Sequence, residues 1–151
     1  TLWHTLSLHD ALPILITLDK FNEISRAIRE NKVRNHFEPG IKRFLSAAQR
    51  KTTSGRKKAA KLKKKIERIQ ASQKNSGRGK EIDRRTHIML RTHTSELKKL
   101  RNQLKDIRDF TAPIRELLRT RKWAAAAMRI RDSRLGRTFD YTYPGLPPGM
   151  D

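Results

Sequence analysis

The chain has 151 residues and carries 36 Lys and Arg against 15 Asp and Glu, a formal net charge of +21. Its mean hydropathy is −0.82 and its pI about 11.2, a balance that repels basic partners, attracts polyphosphates and leaves little apolar matter for a thick core. Cysteine is absent, which excludes disulfides and thiolate metal sites.

The first fourteen residues are read separately. Thr5 to Ile14 matches the translation of a common short-read sequencing adaptor, in frame at both ends. Residues 1–14 are therefore set aside as one sets aside an expression scar. His4, His9 and Asp10 then carry no chemistry. Ala11 to Leu18 lacks the basic leader of a secretory signal and is too short to span a bilayer. The remainder reads either as a protein in its own right or as the C-terminal piece of a longer one.

Residues 15–50 are expected to form two short amphipathic helices. Thr17 has the chemistry of an N-cap, and Leu18, Phe21, Ile24 and Ile28 recur at helical spacing. The run from Asn35 through Glu38-Pro39-Gly40 predicts a break. A second helix is expected from Ile41, with Ile41, Phe44, Leu45 and Ala48 on one side. Thr52-Thr53-Ser54-Gly55 would close it and cap the next.

Residues 51–110 read as a basic helical hairpin. Residues 51–80 hold twelve Lys and Arg against one acid, Glu67. The basic helix is expected over about 56–71, with Ala59, Leu62, Ile66 and Ile69 on one stripe and Lys57, Lys61, Lys64 and Arg68 opposite. Residues 73–80 read as a flexible polar linker. A long helix over about 81–110 carries Leu90, His93, Leu97, Leu100, Leu104 and Ile107 at alternating spacings of three and four, the pattern of a coiled-coil seam. Two such seams joined by a short loop predict an antiparallel hairpin. Thr111-Ala112-Pro113 reads as the start of a C-terminal helix over residues 111–136, with Gly136 as its stop. Residues 137–151, with the cluster Pro144-Gly145-Leu146-Pro147-Pro148-Gly149, read as an extended tail.

The fold class is therefore all-α: about five helices around an antiparallel, coiled-coil-like hairpin, elongated, with an extended Pro/Gly-rich tail. The chemistry points to non-catalytic, largely sequence-independent binding of DNA or RNA. Lys57, Lys58, Lys61, Lys64, Lys65 and Arg68 are the leading phosphate contacts. Lysine is a point charge that suits backbone contact better than base reading. Arg78 and Lys80 in Gly77-Arg78-Gly79-Lys80, and Arg119, Arg121 and Lys122 beside Trp123, form a second rank. The glycine pair is not a nucleotide-binding P-loop, since Glu81 stands where Ser or Thr is needed. Trp123 reads either as a base-stacking ring or as the anchor of the last helix.

The remaining histidines form no metal site, since His87 and His93 lie about 240° apart round a helix. Asp106 and Asp109 have Lys105 and Arg108 beside them and read as ion pairs. No catalytic residue, metal or cofactor is expected. The expected partners are nucleic acid, no membrane, and a second copy through the seam. The expected location is the cytoplasm, nucleoid or nucleus. Two other readings stay open: an accessory C-terminal region of a nucleic-acid enzyme, such as a mobilisation nuclease, recombinase or replication initiator, and a coiled-coil scaffold.

Overall fold

The computed structural model describes the backbone of residues 2–75 and 84–149 and the side chains of residues 17–74 and 84–149. Among the described residues four helices follow in order: α1 (Leu2–Asn75), α2 (Arg84–Arg119), α3 (Trp123–Arg131) and α4 (Arg134–Thr138). No strand occurs among the described residues, so the chain is all-α.

The helix count differs from the sequence expectation. α1 absorbs the three predicted helices up to Ala71 into one of 74 residues, about 110 Å long at 1.5 Å per residue. Neither the predicted break at Asn35–Gly40 nor the predicted stop at Thr52–Gly55 occurs. The reason is burial. Phe37, Ile41, Phe44 and Ala48 are all but fully enclosed, and their spacing requires an unbroken helix through Pro39 and Gly40. Pro39 and Asn35 are both exposed, so water can reach the Asn35 carbonyl that the missing Pro39 N–H leaves open. Glu38 tightens the same turn by pairing with Arg34 on one side and Lys42 on the other, with Lys42 Nζ at 2.6 Å. At Thr52 and Thr53 the hydroxyls donate to the Ala48 and Gln49 carbonyls at 2.9 and 3.0 Å, within the helix rather than capping a new one. Gly55 is buried because Leu100 and Leu104 of α2 lie against it.

α2 returns along α1. Glu30 meets Arg121 just past the end of α2, Phe44 meets Phe110, and Gly55 meets Leu104 and Leu100. Low numbers in α1 thus face high numbers in α2, so the two run in opposite directions. The predicted start at Thr111-Ala112-Pro113 is not realised. Ile107, Thr111 and Ile114 are buried four and three apart, and the helix continues through Pro113 to Arg119. It ends where Arg121 takes φ 60, with Lys122 N–H donating to the Leu117 carbonyl at 2.8 Å and Arg121 N–H to the Leu118 carbonyl at 3.1 Å. That is a Schellman cap built without glycine, which is why no sequence signal marked it.

Gly136 is not a stop either. It lies inside α4, where Ser133 caps the helix by accepting from its N–H at 2.9 Å. α4 closes with a second Schellman cap: Asp140 at φ 53, Tyr141 N–H to the Gly136 carbonyl at 2.8 Å, and Asp140 N–H to the Arg137 carbonyl at 3.2 Å. The residues that follow form neither helix nor strand as far as Gly149 and lie on α1. Phe139 and Tyr141 meet Phe44 edge-on, Tyr143 stacks on Phe37, and His36 Nε2 lies 2.9 Å from the Gly145 carbonyl oxygen. The core therefore sits where α1, the end of α2, α3 and the tail converge, around Phe37, Ile41, Phe44, Ile114, Ala126, Ala127 and Ile130.

The stripe Leu18, Phe21, Ile24 and Ile28 is not part of that core. Each residue is at least half exposed, because α2 ends and α3 begins alongside Glu30 and Arg34 and no described element reaches further.

Three outcomes test this packing. A Cβ at Gly136 would lie 2.1 Å from the Ile130 carbonyl oxygen, whereas one at Gly55 would press on the movable Leu104 tip at 2.6 Å. Gly136→Ala should therefore cost about 2 kcal/mol or more in thermal melting, and Gly55→Ala clearly less. Leu100→Asp should also lower the melting temperature, since it sets an unpaired carboxylate against α1 at a cost of roughly 2 kcal/mol. Hydrogen bonds from Arg34 first, and from Lys42 second, pull the Glu38 carboxyl down from 4.5 to about 2. A depressed acid stabilises the fold above its unfolded value and ceases to as pH falls through its folded value. The melting gap between native protein and Glu38→Gln should therefore be full at pH 7 and close between about pH 4.5 and 2.

Candidate nucleic-acid interface

Residues 56–68 form part of α1 and begin about two turns beyond Ala48, the last residue that α1 buries in the core. Ala59, Leu62, Ile66 and Ile69 are half-buried on the side facing α2, and every Lys and Arg between them is exposed. Taking 100° per residue, Lys57, Lys61, Lys64 and Arg68 point away from α2. Lys58 and Lys65 flank that line on one edge and Arg56 and Lys63 on the other. The cations thus form a broad arc rather than a single ladder. Only the strip held against α2 lacks them.

Their electrostatic state is simple. The ion pairs of the described residues lie elsewhere, at Glu30, Glu38, Asp109, Glu116 and Asp132, and none takes a cation from residues 51–68. Glu67 is exposed beside Lys63, Lys64 and Arg68 and forms no ion pair with them. A shallow depression of about 470 Å³ lies over the same surface, lined by Arg50, Thr53, Ser54, Lys57, Lys58 and Lys61.

The continuity of α1 adds two residues that sequence reasoning left out. Arg43 and Arg50 are exposed and enter none of the ion pairs among the described residues. They stand in line with Lys57 and Lys64, each seven residues from the next, or about 10.5 Å along the axis. The spacing was present in the sequence. The expected breaks at Pro39 and Gly55 assigned these arginines to a separate helix and concealed it.

Of the second-rank residues, the described ones, Arg119, Arg121 and Lys122, do not join this surface. Arg78 and Lys80 lie outside the described residues. Arg119 is held by Glu116, with Nε at 3.0 Å from Oε2, and Arg121 lies 3.8 Å from Glu30. Hydrogen bonding to Glu116, and the charge of that carboxylate, raise Arg119 further above its already high value. Lys122 is exposed at the start of α3. All three cluster near residue 30 of α1, about 40 Å along the axis from Lys57. Trp123 packs on the core, and the Arg34 guanidinium lies 5.7 Å over its ring. It is the anchor of α3 rather than a free stacking surface.

His87 is exposed and His93 half-buried against α1. No cluster of three or more His, Asp or Glu suited to a metal occurs among the described residues. Among those residues, no helix is long and apolar enough to cross a membrane. Comparison with protein-family models, with curated proteins and with solved structures finds no match.

Proposed function

We propose that this chain binds DNA or RNA without catalysis and largely without regard to sequence, through the outward arc of α1. One observation carries the reading: the cations of residues 50–68 are exposed, closely spaced and take part in none of the ion pairs among the described residues. A solvated helix face normally intersperses acids four residues away to relieve such repulsion. Here relief must come from outside, and a polyphosphate supplies it through counterion release. Lys57, Lys58, Lys61, Lys64, Lys65 and Arg68 make the phosphate contacts, and Arg43 and Arg50 extend them toward the core. In this reading α1 and α2 form an antiparallel, coiled-coil-like rod whose stiffness keeps the cations in register. The protein acts in the cytoplasm, nucleoid or nucleus, wherever its nucleic acid lies.

A second reading, pairing of two chains, is supported by the exposed stripe Leu18, Phe21, Ile24 and Ile28. Sedimentation at two salt concentrations separates the two. A dimer that is insensitive to salt and ignores nucleic acid favours assembly over binding.

The nucleic-acid reading predicts a steep fall of log affinity with log salt. Replacing Lys57, Lys61, Lys64 and Arg68 with Gln should leave helicity unchanged and flatten that slope by about 0.9 for each duplex phosphate no longer neutralised. Filter binding across a salt series measures it, and an unaltered slope would move the binding surface elsewhere.

A further inference from the structure

The tail and α1 enclose a groove of about 410 Å³ at the head of the cation line, a volume within the range of small-molecule sites. Its floor is low because Gly40 has no side chain and Ala47 only a methyl. Arg43 and Arg50 stand along its outer edge, and Phe139, Asp140 and Tyr141 form the opposite wall. The Tyr141 ring lies over Gly40, 3.4 Å from where a Cβ would stand. The Tyr141 hydroxyl is buried and has no hydrogen-bond partner, which is costly unless a partner arrives. Asp140 is held at φ 53 by the cap of α4. It is exposed and forms none of the ion pairs of the described residues, despite two arginines across the groove.

The groove therefore offers three kinds of contact in one place: an aromatic wall, an acceptor carboxylate and two unpaired guanidiniums. An inorganic anion would use only the guanidiniums and would face Asp140. A ligand with a flat apolar ring, amino donors and a phosphate uses all of them. A nucleotide has that constitution. A base stacked inside a duplex presents neither a face nor its pairing edge, so only an unpaired nucleotide fits.

We propose that this groove captures one unpaired nucleotide of a strand whose phosphates then follow Arg50, Lys57 and Lys64 down α1. The inference rests on the nucleic-acid reading above and narrows its substrate to nucleic acid with a single-stranded end or junction. Arg43 and Arg50 hold the phosphate of the captured nucleotide. Its ring lies over Ala47 against Phe139 and Tyr141. Asp140 accepts from an amino group on its pairing edge, which favours bases that carry one.

The test compares labelled blunt duplex with the same duplex bearing a short unpaired overhang, by fluorescence anisotropy on the full chain. The native protein should prefer the overhang roughly tenfold, the size of one stacked base. Ala47→Leu fills the floor from a half-exposed helix position, and Asp140→Asn keeps a residue that accepts the left-handed conformation. Both should melt as the native protein does; Ala47→Leu should bind blunt duplex unchanged, and Asp140→Asn, which removes a carboxylate facing Arg43 and Arg50, should bind it no more weakly. Ala47→Leu should bring the preference close to one, and Asp140→Asn should reduce it most for overhangs ending in amino-bearing bases. Equal binding of both probes by the native protein, or a preference that survives Ala47→Leu, overturns the groove and leaves the phosphate surface standing. No binding of either probe at low salt overturns the nucleic-acid reading and the groove together.

Discussion

Everything in this chain depends on α1 remaining a helix through Glu38-Pro39-Gly40. An interior proline costs a helix about 3 kcal/mol and a glycine about 1 kcal/mol. Against this stands the burial of Phe37, Ile41, Phe44 and Ala48 on one continuous stripe. Each large side chain contributes about 1.5–3 kcal/mol when enclosed, so three of them exceed the penalty. Pro39 faces water, where its missing N–H does least harm, and Gly40 lies under the Tyr141 ring, 3.4 Å from where a Cβ would stand. The two residues that weaken the helix most are thus placed where their shortcomings are either harmless or useful.

The same continuity sets the geometry of charge. Lysines and arginines repel one another when packed along a helix, and residues 51–68 contain one acid to relieve them. A free helix of that composition would fray. Here its apolar stripe is held by α2, and its line of cations extends through Arg50 and Arg43 to the core. Packing on α2 holds the segment helical against that repulsion and leaves the cations facing solvent. Acids instead gather near the core, where Glu38 ties Arg34 and Lys42, Glu116 ties Arg119 and Glu30 approaches Arg121.

The caps explain why local rules misplaced the later boundaries. Helix ends are usually sought at glycine, and Gly136 is the natural candidate by that rule. The ends of α2 and α4 each use a residue that carries a side chain, Arg121 and Asp140, in the left-handed region. The conformation costs of order a kcal/mol there and is held by two backbone hydrogen bonds at each site and by the core beyond. Gly136 is needed for a different reason: the Ile130 carbonyl leaves no room for a Cβ.

From the amino-acid order alone, the helical class, the apolar side of residues 59–69 and the exposure of Lys57, Lys61, Lys64 and Arg68 could be read. Each depends on a repeat of three to four residues that is local to one helix. Tertiary packing decided which breakers break and where the core lies. It also decided that the tail, with its Phe139, Tyr141 and Tyr143, closes over α1 instead of trailing from it. Those outcomes turn on side chains about a hundred residues apart in the chain, Phe37 against Tyr143 and Gly40 against Tyr141. The free energy of such contacts is gained only when both partners are in place, so neither stretch discloses it by itself.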